Sequence, residues 1–483
     1  NVTINKLPNY YKGEEIMDET TNTTRLRFYG GKGVTFVPLL LSLCILFWIA
    51  LHNGDIPVYW AAFLFPLILC LFLAKDKNQY CEAIVRGIVD PVGGMLIISI
   101  LLAGICGVII SASGLVEALA QLVISIDLVG NKFVAATFLI SCLVGFTTGT
   151  SVGTIFIAGP ILYPVGYLVG GTPALLVGAI ISGGAFGDDL APISETIIAC
   201  SSTQKVNLGI LFRSRFKYVM PATLVSLVLY LFLGSASGQD VANEALATNP
   251  ASFLFLLIPI VIIVSCLLQR HLVESLGYGI LTGLLIGAIT GIIPVNQIIS
   301  IPEPFAAGGI LVDGINDAIP TVVVVMFMFA HIEILNEGGG TEIILNLAEK
   351  FVKGPRSCEA VIAIVTMLLN LVTGLNAAAI MGTSPIAYQL GEKHHVSGYR
   401  RSNIMICSGA TFNYLAPYMV PVVSGCMISS TYAPVENATV VTVMEAVGAQ
   451  FYPWAMLVLI IFAIVTGYGR TFLPDGGVTD TAQ

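Results

Sequence analysis

The sequence predicts an all-α polytopic membrane protein built from two inverted repeats, each with five spanning helices and one re-entrant hairpin, and with broken helices at the membrane midplane. Three observations predict it. Of the 483 residues, 56% are hydrophobic and only 10% charged, and mean hydropathy is +0.89, whereas soluble domains carry roughly a quarter charged residues. Shifting the chain by 225 positions lays its two central motifs over one another without a gap. Within residues 178–204, GAIISGGAFGDDLAPISETIIACSSTQ, an apolar run is interrupted at Gly187, Asp188, Asp189 and Pro192 and then restarts. Ionisable groups persist at membrane depth only where they face a bundle interior or a wet cavity, so this stretch should line an aqueous site.

Taken in order, residues 1–33 are polar and show no short apolar core followed by a small-residue cleavage site, so no secretory signal is expected. Apolar runs at 34–51, 56–74 and 88–110 are each near the ~20 residues that span hydrocarbon and read as three crossing helices. Runs 133–147 and 154–168 are shorter, each ~22 Å as helix, with TTGTSV between them. They suit the two arms of a re-entrant hairpin. The interrupted segment 173–212 follows, then a helix near 218–234 and the polar loop GSASGQDVANEALATNP. Runs near 253–268 and 273–293 open the second half. The repeats are expected over 34–240 and 250–470, with a tail at 471–483. The 49 glycines suit close helix packing and the 23 prolines suit interrupted helices. The ten cysteines fall mostly in apolar runs without a CxxC pair and read as buried thiols.

The repeat is specific in its glycines and prolines. Thr148 and Gly149 fall on Thr373 and Gly374, Pro160 on Pro385, Tyr163 on Tyr388, and GGAFGDDLAP on SGATFNYLAP. Asp188 therefore corresponds to Asn413 and Asp189 to Tyr414, so the acidic pair belongs to one half. The positive-inside rule then orients the halves. With the N-terminus in the cytoplasm, Arg213, Arg215, Lys217, Lys393, Arg400, Arg401, Arg470 and the other basic residues fall inside, Lys132 being the clear exception. If 358–390 crossed the membrane, the KHHVSGYRR loop would lie outside, which favours a hairpin there. The expectation is ten spanning helices plus two re-entrant hairpins, with both termini cytoplasmic.

Paired hairpin tips and broken helices are how many secondary transporters build a midplane site. The first tip, Thr148-Gly-Thr-Ser-Val-Gly-Thr154, offers the hydroxyls of Thr148, Thr150, Ser151 and Thr154; the second offers Thr373 and Asn376. Hydroxyls and unwound carbonyls suit a hard cation, and half-helix N-termini suit an anionic group. Asp188 and Asp189 could also cap a helix break, but Asn or Ser would do so without an ionisation cost. Ser194, with Glu195 and Thr196, could cap the restarting helix, ligate, or do both. Asp90 and Asp317 read as structural caps, and His331, Glu333 and Glu337 as interfacial groups near the inner end of a helix. No arginine is expected near the breaks, Lys205 being the nearest basic residue. No basic patch suggests nucleic acid, and no nucleophile with a base or ligand cluster suggests an enzyme or a bound cofactor.

The motifs T148GTSVGT154 and F186GDDLAPISET196 resemble those of the NhaC family of Na+/H+ antiporters, over most of residues 34–468. The resemblance implies a bacterial inner-membrane exchanger, embedded in the lipid bilayer, whose hairpins and broken helices move against a scaffold as an elevator in a homodimer. Carried over by position, Thr148, Thr150, Ser151, Thr154, Asp188, Ser194, Glu195 and Thr196 match the family motifs, while Val152 and Asp189 depart from them. Na+ and H+ are then the coupling ions, with Na+ held at Thr148, Ser151 and Asp188. Asp188, sharing charge with Asp189, binds Na+ or a proton in turn, because two neighbouring carboxylates resist double ionisation. The alternative is a Na+- or H+-coupled exchanger of a small organic anion or amino acid of the malate/lactate kind. On this reading Asp188→Asn abolishes transport, and Asp189→Asn is milder because Tyr414 stands at its counterpart.

Overall fold

A computed structural model describes residues 26–51, 59–192, 194–233, 249–268, 270–303, 306–340, 342–344, 351–434 and 440–472. Most of the expected N-terminal polar segment and C-terminal tail, and the loop before residue 249, lie outside them. Among the described residues, eight helices are long and apolar enough to cross a membrane, or nine if the pair Val443–Ala449 and Phe451–Thr466, bent by 57°, counts as one span. The chain is thus a multi-pass membrane protein. The expected first two spans are the shorter apolar helices Lys32–Leu46 and Trp60–Leu73. The runs that open the second half form helical segments at Pro250–Leu267 and Leu272–Thr290. One departure from an all-α fold is an antiparallel strand pair, Ser300–Glu303 with Ala306–Gly308.

The two arms of the first hairpin are longer than the sequence suggests. They run Asn131–Thr148 and Ser151–Leu168, 18 residues each, or ~27 Å. Shortness therefore does not mark them as re-entrant. The first arm keeps Thr147 and Thr148 because Gly149 takes the left-handed conformation (φ 67°), which costs glycine little, and returns its N–H to Gly145 O at 2.9 Å. Thr150 then caps the second arm, its hydroxyl accepting from the Gly153 N–H. Two residues make the whole turn.

The interruption is also sharper than expected. Gly187, Asp188 and Asp189 remain in the last turn of a continuous helix, Pro173–Leu190, and the chain restarts at Glu195–Thr203. The break is set by Pro192, which disfavours helical backbone at the residue before it; Ala191 is extended, with ψ 128°.

In the second half the bounds recur. Hairpin arms Pro355–Thr373 and Asn376–Lys393 precede a broken pair, Gly398–Leu415 and Val420–Thr431. Thr373, Asn376, Lys393, Gly398, Leu415 and Val420 each lie 225 positions after the corresponding bound of the first half. Gly374 repeats the left-handed cap at φ 65°, and its N–H returns to Asn370 O at 2.9 Å.

The first hairpin is pressed against its broken helix through glycines. A Cβ on Gly187 would lie 2.4 Å from Gly145 O, and one on Gly145 would lie 2.7 Å from Gly183 O. A Cβ on Gly184 would meet Ser151 O at 3.0 Å. Bare backbone at these positions brings the tip against the turn that carries Asp188. All ten cysteines are free, and among them Cys44 and Cys81 are exposed.

Candidate functional site

The last turn of Pro173–Leu190 sends Asp188 and Asp189 in different directions, because consecutive helical residues do not share a face. Asp189 is fully buried and faces Arg215, whose Nη2 lies 3.0 Å from Asp189 Oδ1 with both side chains at 0% exposure. Arg215 Nε also donates to the Asp189 main-chain carbonyl at 2.6 Å, and Tyr452 OH donates to Asp189 Oδ2 at 2.8 Å. A third contact ties Arg215 Nη1 to Cys407 Sγ at 3.3 Å. Asp189 is therefore held in a buried ion pair, and Asp188 beside it is not. The expectation that no arginine lies near the breaks is overturned, since Arg215 belongs to the helix Leu208–Leu233 and reaches Asp189. A buried carboxylate survives in low dielectric when a cation and hydrogen bonds answer it, and Arg215 with Tyr452 supplies both.

Asp188 is half-buried and has no ion pair among the described residues. Its Oδ2 accepts a 2.6 Å hydrogen bond from Tyr414 OH, and Ser151 neighbours both groups. Its main-chain carbonyl, freed by the helix break, is taken up by two hydroxyls. Ser194 Oγ donates to it at 2.7 Å and Thr196 Oγ1 at 2.8 Å, and these two hydroxyls lie 2.8 Å apart. Ser194 also caps the restarting helix by accepting from the Thr196 N–H. Capping and support of Asp188 thus coincide in one side chain. Glu195, in the first turn of that helix, is exposed.

At the first tip, Thr148 Oγ1 and Thr154 Oγ1 lie 3.2 Å apart, and both donate to Thr150 O, at 3.2 and 2.8 Å. Thr148, Thr150 and Thr154 therefore form one network, with Ser151 leading from it to Asp188. The second tip repeats part of this. Thr373 Oγ1 donates to Leu375 O at 3.1 Å, and Asn370 Nδ2 bridges Asn376 Oδ1 at 3.3 Å and Gly409 O at 2.9 Å. Asn413 is buried. Among the described residues, no hydrogen bond joins Thr373, Asn376 or Asn413 to the Asp188 cluster.

Sequence reasoning did not find Tyr414, Tyr452 or Arg215. For Tyr414 the signal was present: it is the repeat counterpart of Asp189, and it reaches across to the neighbouring carboxylate. For Arg215, the need of a buried acid for a counter-charge was the available clue. A second ionic cluster was also missed. Glu359 accepts from Arg400 Nε and Nη2 at 2.9 and 3.0 Å, and from Arg470 Nε and Nη2 at 2.8 and 2.7 Å. Arg400 and Arg401 are buried, whereas the charge pattern treats them as loop cations. His331 is buried too, its Nε2 2.9 Å from Ser42 Oγ. Asp90 is a cap as expected, accepting from the Gly93 N–H at 3.1 Å.

The model of the Na+/H+ antiporter family matches residues 15–235 and 241–469. The Na(+)/H(+) antiporter NhaC of Alkalihalophilus pseudofirmus is 24% identical over 391 residues, covering 76% of this chain and 83% of that protein. The malate-2H(+)/Na(+)-lactate antiporter of Bacillus subtilis is 26% identical over 360 residues, covering 70% and 74%. The Na(+)/H(+) antiporter NhaC of Bacillus subtilis is 24% identical over 381 residues, covering 72% and 81%. With the family model matched over nearly its whole length, this chain belongs to the Na+/H+ antiporter family.

Proposed function

We propose that the protein exchanges Na+ for protons across the membrane, with Asp188 as the carboxylate that takes one or the other in turn. The observation that carries this reading is the unequal neutralisation of the acidic pair: Asp189 has Arg215 as its counter-charge, while Asp188 has a neutral phenol. A lone carboxylate beside hydroxyls is a hard, oxygen-only environment, suited to Na+ or to a proton. Na+ is held by Asp188, Ser151 and Thr148, the remaining hydroxyls of the tip and of Ser194 and Thr196 keeping these in place. Competition of the two ions for one group gives exchange, since the group cannot carry both.

The halves 34–240 and 250–470 act in this reading as inverted repeats, with ten spanning helices and two re-entrant hairpins. Both termini are cytoplasmic, and the hairpins with the broken helices form the moving part of a homodimer in a bacterial inner membrane. The recurrence of helix bounds and glycine caps at a shift of 225 supports the duplication. A cysteine in place of exposed Lys393 should then be protected from an impermeant thiol reagent in intact cells, and labelling there from outside would defeat the topology.

A second reading, exchange of an organic anion with Na+ at the first tip and the anion at half-helix N-termini, is supported by the similarity to the malate-2H(+)/Na(+)-lactate antiporter. One experiment separates the two. In vesicles containing the purified protein, an imposed Na+ gradient alone should move protons. Proton movement that requires added malate, lactate or an amino acid would overturn the first reading and establish the second.

A further inference from the structure

Tyr414 stands apart from the other buried tyrosines in what its hydroxyl binds. Tyr80, Tyr230 and Tyr418 donate to the main-chain carbonyls of Leu67, Ala449 and Leu371, the ordinary way to satisfy a phenol in an apolar interior. Tyr452 donates to a carboxylate, but to Asp189, which Arg215 already neutralises. Tyr414 is fully buried, and its bond goes to the carboxylate that lacks a cation. It also comes from the other half of the chain. Its helix, Gly398–Leu415, ends one residue later at Leu415, so Tyr414 occupies the last turn before the second break, as Asp189 does before the first.

The chemistry of such a bond is one-sided. An ionised carboxylate accepts a phenolic O–H in a charge-assisted bond, about twice as strong as the neutral–neutral bond that a protonated carboxyl can offer. The donor therefore favours the form of Asp188 that binds Na+ over the form that holds a proton. Ser194 and Thr196 hold the Asp188 main-chain carbonyl, and so fix the backbone from which the carboxylate projects.

We propose that Tyr414 is a positioning residue that sets the competition between Na+ and H+ at Asp188 by donating a hydrogen bond to the ionised carboxylate across the two halves of the protein. The inference rests on the assignment of Asp188 as the exchanging group. Tyr414 neither binds the ion nor transfers the proton; it biases which of the two Asp188 takes.

The test uses the purified full-length protein in vesicles, measuring Na+-driven proton movement against pH and against Na+. Tyr414→Phe should raise the apparent KM for Na+ about tenfold at a fixed acidic pH, keep kcat within about twofold at saturating Na+, and move the acid limb of the pH profile about one unit to higher pH, that is tenfold in proton concentration. A purely structural role would lower kcat or the amount of folded protein without moving the profile. 3-Fluorotyrosine at position 414 keeps the ring and the hydroxyl while making the phenol a stronger donor, so it should move the acid limb to lower pH; it also serves if the Phe variant folds poorly. Shifts in the same direction for both substitutions, or no shift for either, would overturn the role of Tyr414. Asp188→Asn is measured alongside: full exchange by that variant would overturn the assignment of Asp188 itself, whereas its inactivity with an unmoved Tyr414→Phe profile would defeat only the present inference.

Discussion

The two broken helices of this protein share a backbone and differ in chemistry. In both, an arm ends in a threonine and a left-handed glycine, Thr148-Gly149 and Thr373-Gly374, and the threonine hydroxyl turns back to a carbonyl two residues on. In both, the break follows Leu-Ala-Pro, and the residue after the proline's neighbour returns its N–H to the alanine carbonyl, Ser194 to Ala191 at 2.9 Å and Met419 to Ala416 at 3.1 Å. Most of the other polar side chains are not repeated. Thr150, Thr154, Ser194, Glu195 and Thr196 have Leu375, Ala379, Met419, Val420 and Pro421 as counterparts, and Asp188 has Asn413. Thr150 and Ser194 cap their helices with a side chain, and Leu375 and Met419 do not. A symmetric frame needs its glycines and prolines in both halves, because each turn must be made twice. On the proposed reading, one exchanging carboxylate needs its neighbouring hydroxyls only once.

That contrast can be broken most severely at Asp188. Asp188→Asn makes the first break resemble the second, where Asn413 is accommodated, and the amide oxygen still accepts from Tyr414. Na+-driven proton movement should fall to the level of protein-free vesicles, while elution from a sizing column and Tm stay unchanged. Sustained exchange would remove the carboxylate from the mechanism.

Asp189 and its neighbours give the next largest effect, and here on stability. Asp189→Asn leaves the buried Arg215 without a counter-charge, and Arg215→Met leaves Asp189 without one; each should cost about 3–5 kcal/mol, read as a lowered Tm in detergent. The sequence alone suggests that Asp189→Asn is the mild change, since Tyr414 is its counterpart, but the ion pair reverses that expectation for stability. Combining Asp189→Asn with Arg215→Met should recover most of the loss, because no lone charge then remains and Tyr452 OH keeps an acceptor. A double variant no better than either single one would show that packing, and not charge, holds this corner.

A smaller loss is expected where the tip meets the broken helix. Gly187→Ala should destabilise by about 1–3 kcal/mol, since its Cβ would fall 2.4 Å from Gly145 O, and transport should fall with it as the tip is displaced from Asp188. The second half has no such constraint at this point, because Phe412 and Asn370 stand at the equivalent positions. A fully active Gly187→Ala protein would mean that the close approach is not needed for exchange.

The mildest change is Ser194→Ala, which removes a helix cap worth about 1 kcal/mol and one of the two hydroxyls on the Asp188 carbonyl. Thr196 retains the other. Thermal unfolding should register the loss of the cap, and exchange should weaken only modestly; a loss as complete as that of Asp188→Asn would assign Ser194 to the ion itself.

Much of the frame was legible in the chain because it is dictated locally. Apolar runs of membrane-spanning length, Gly149 and Gly374 as caps, and Pro192 and Pro417 as breaks act through backbone sterics and transfer energies that need no distant partner. The lengths of the hairpin arms were not legible, because Thr147, Thr148 and Ser151 look like turn residues until the glycine cap shows that helix continues to the turn. The position of the break was read too early for a similar reason: glycine and aspartate disfavour helix, but that turn is helical, with Gly187 packed on Gly145.

By itself, then, the sequence determined that this is a membrane protein with a duplicated frame and one acidic break, since composition, period and proline positions are properties of the chain. Only the tertiary structure decided which carboxylate has a counter-charge and which has not. Asp188 and Asp189 are adjacent and identical in type, and what separates them is that Arg215 and Tyr452, from two other helices, close on one, while Tyr414, from the opposite half, reaches the other. The charge state of a buried group depends on partners brought from far along the chain, and no local pattern records them.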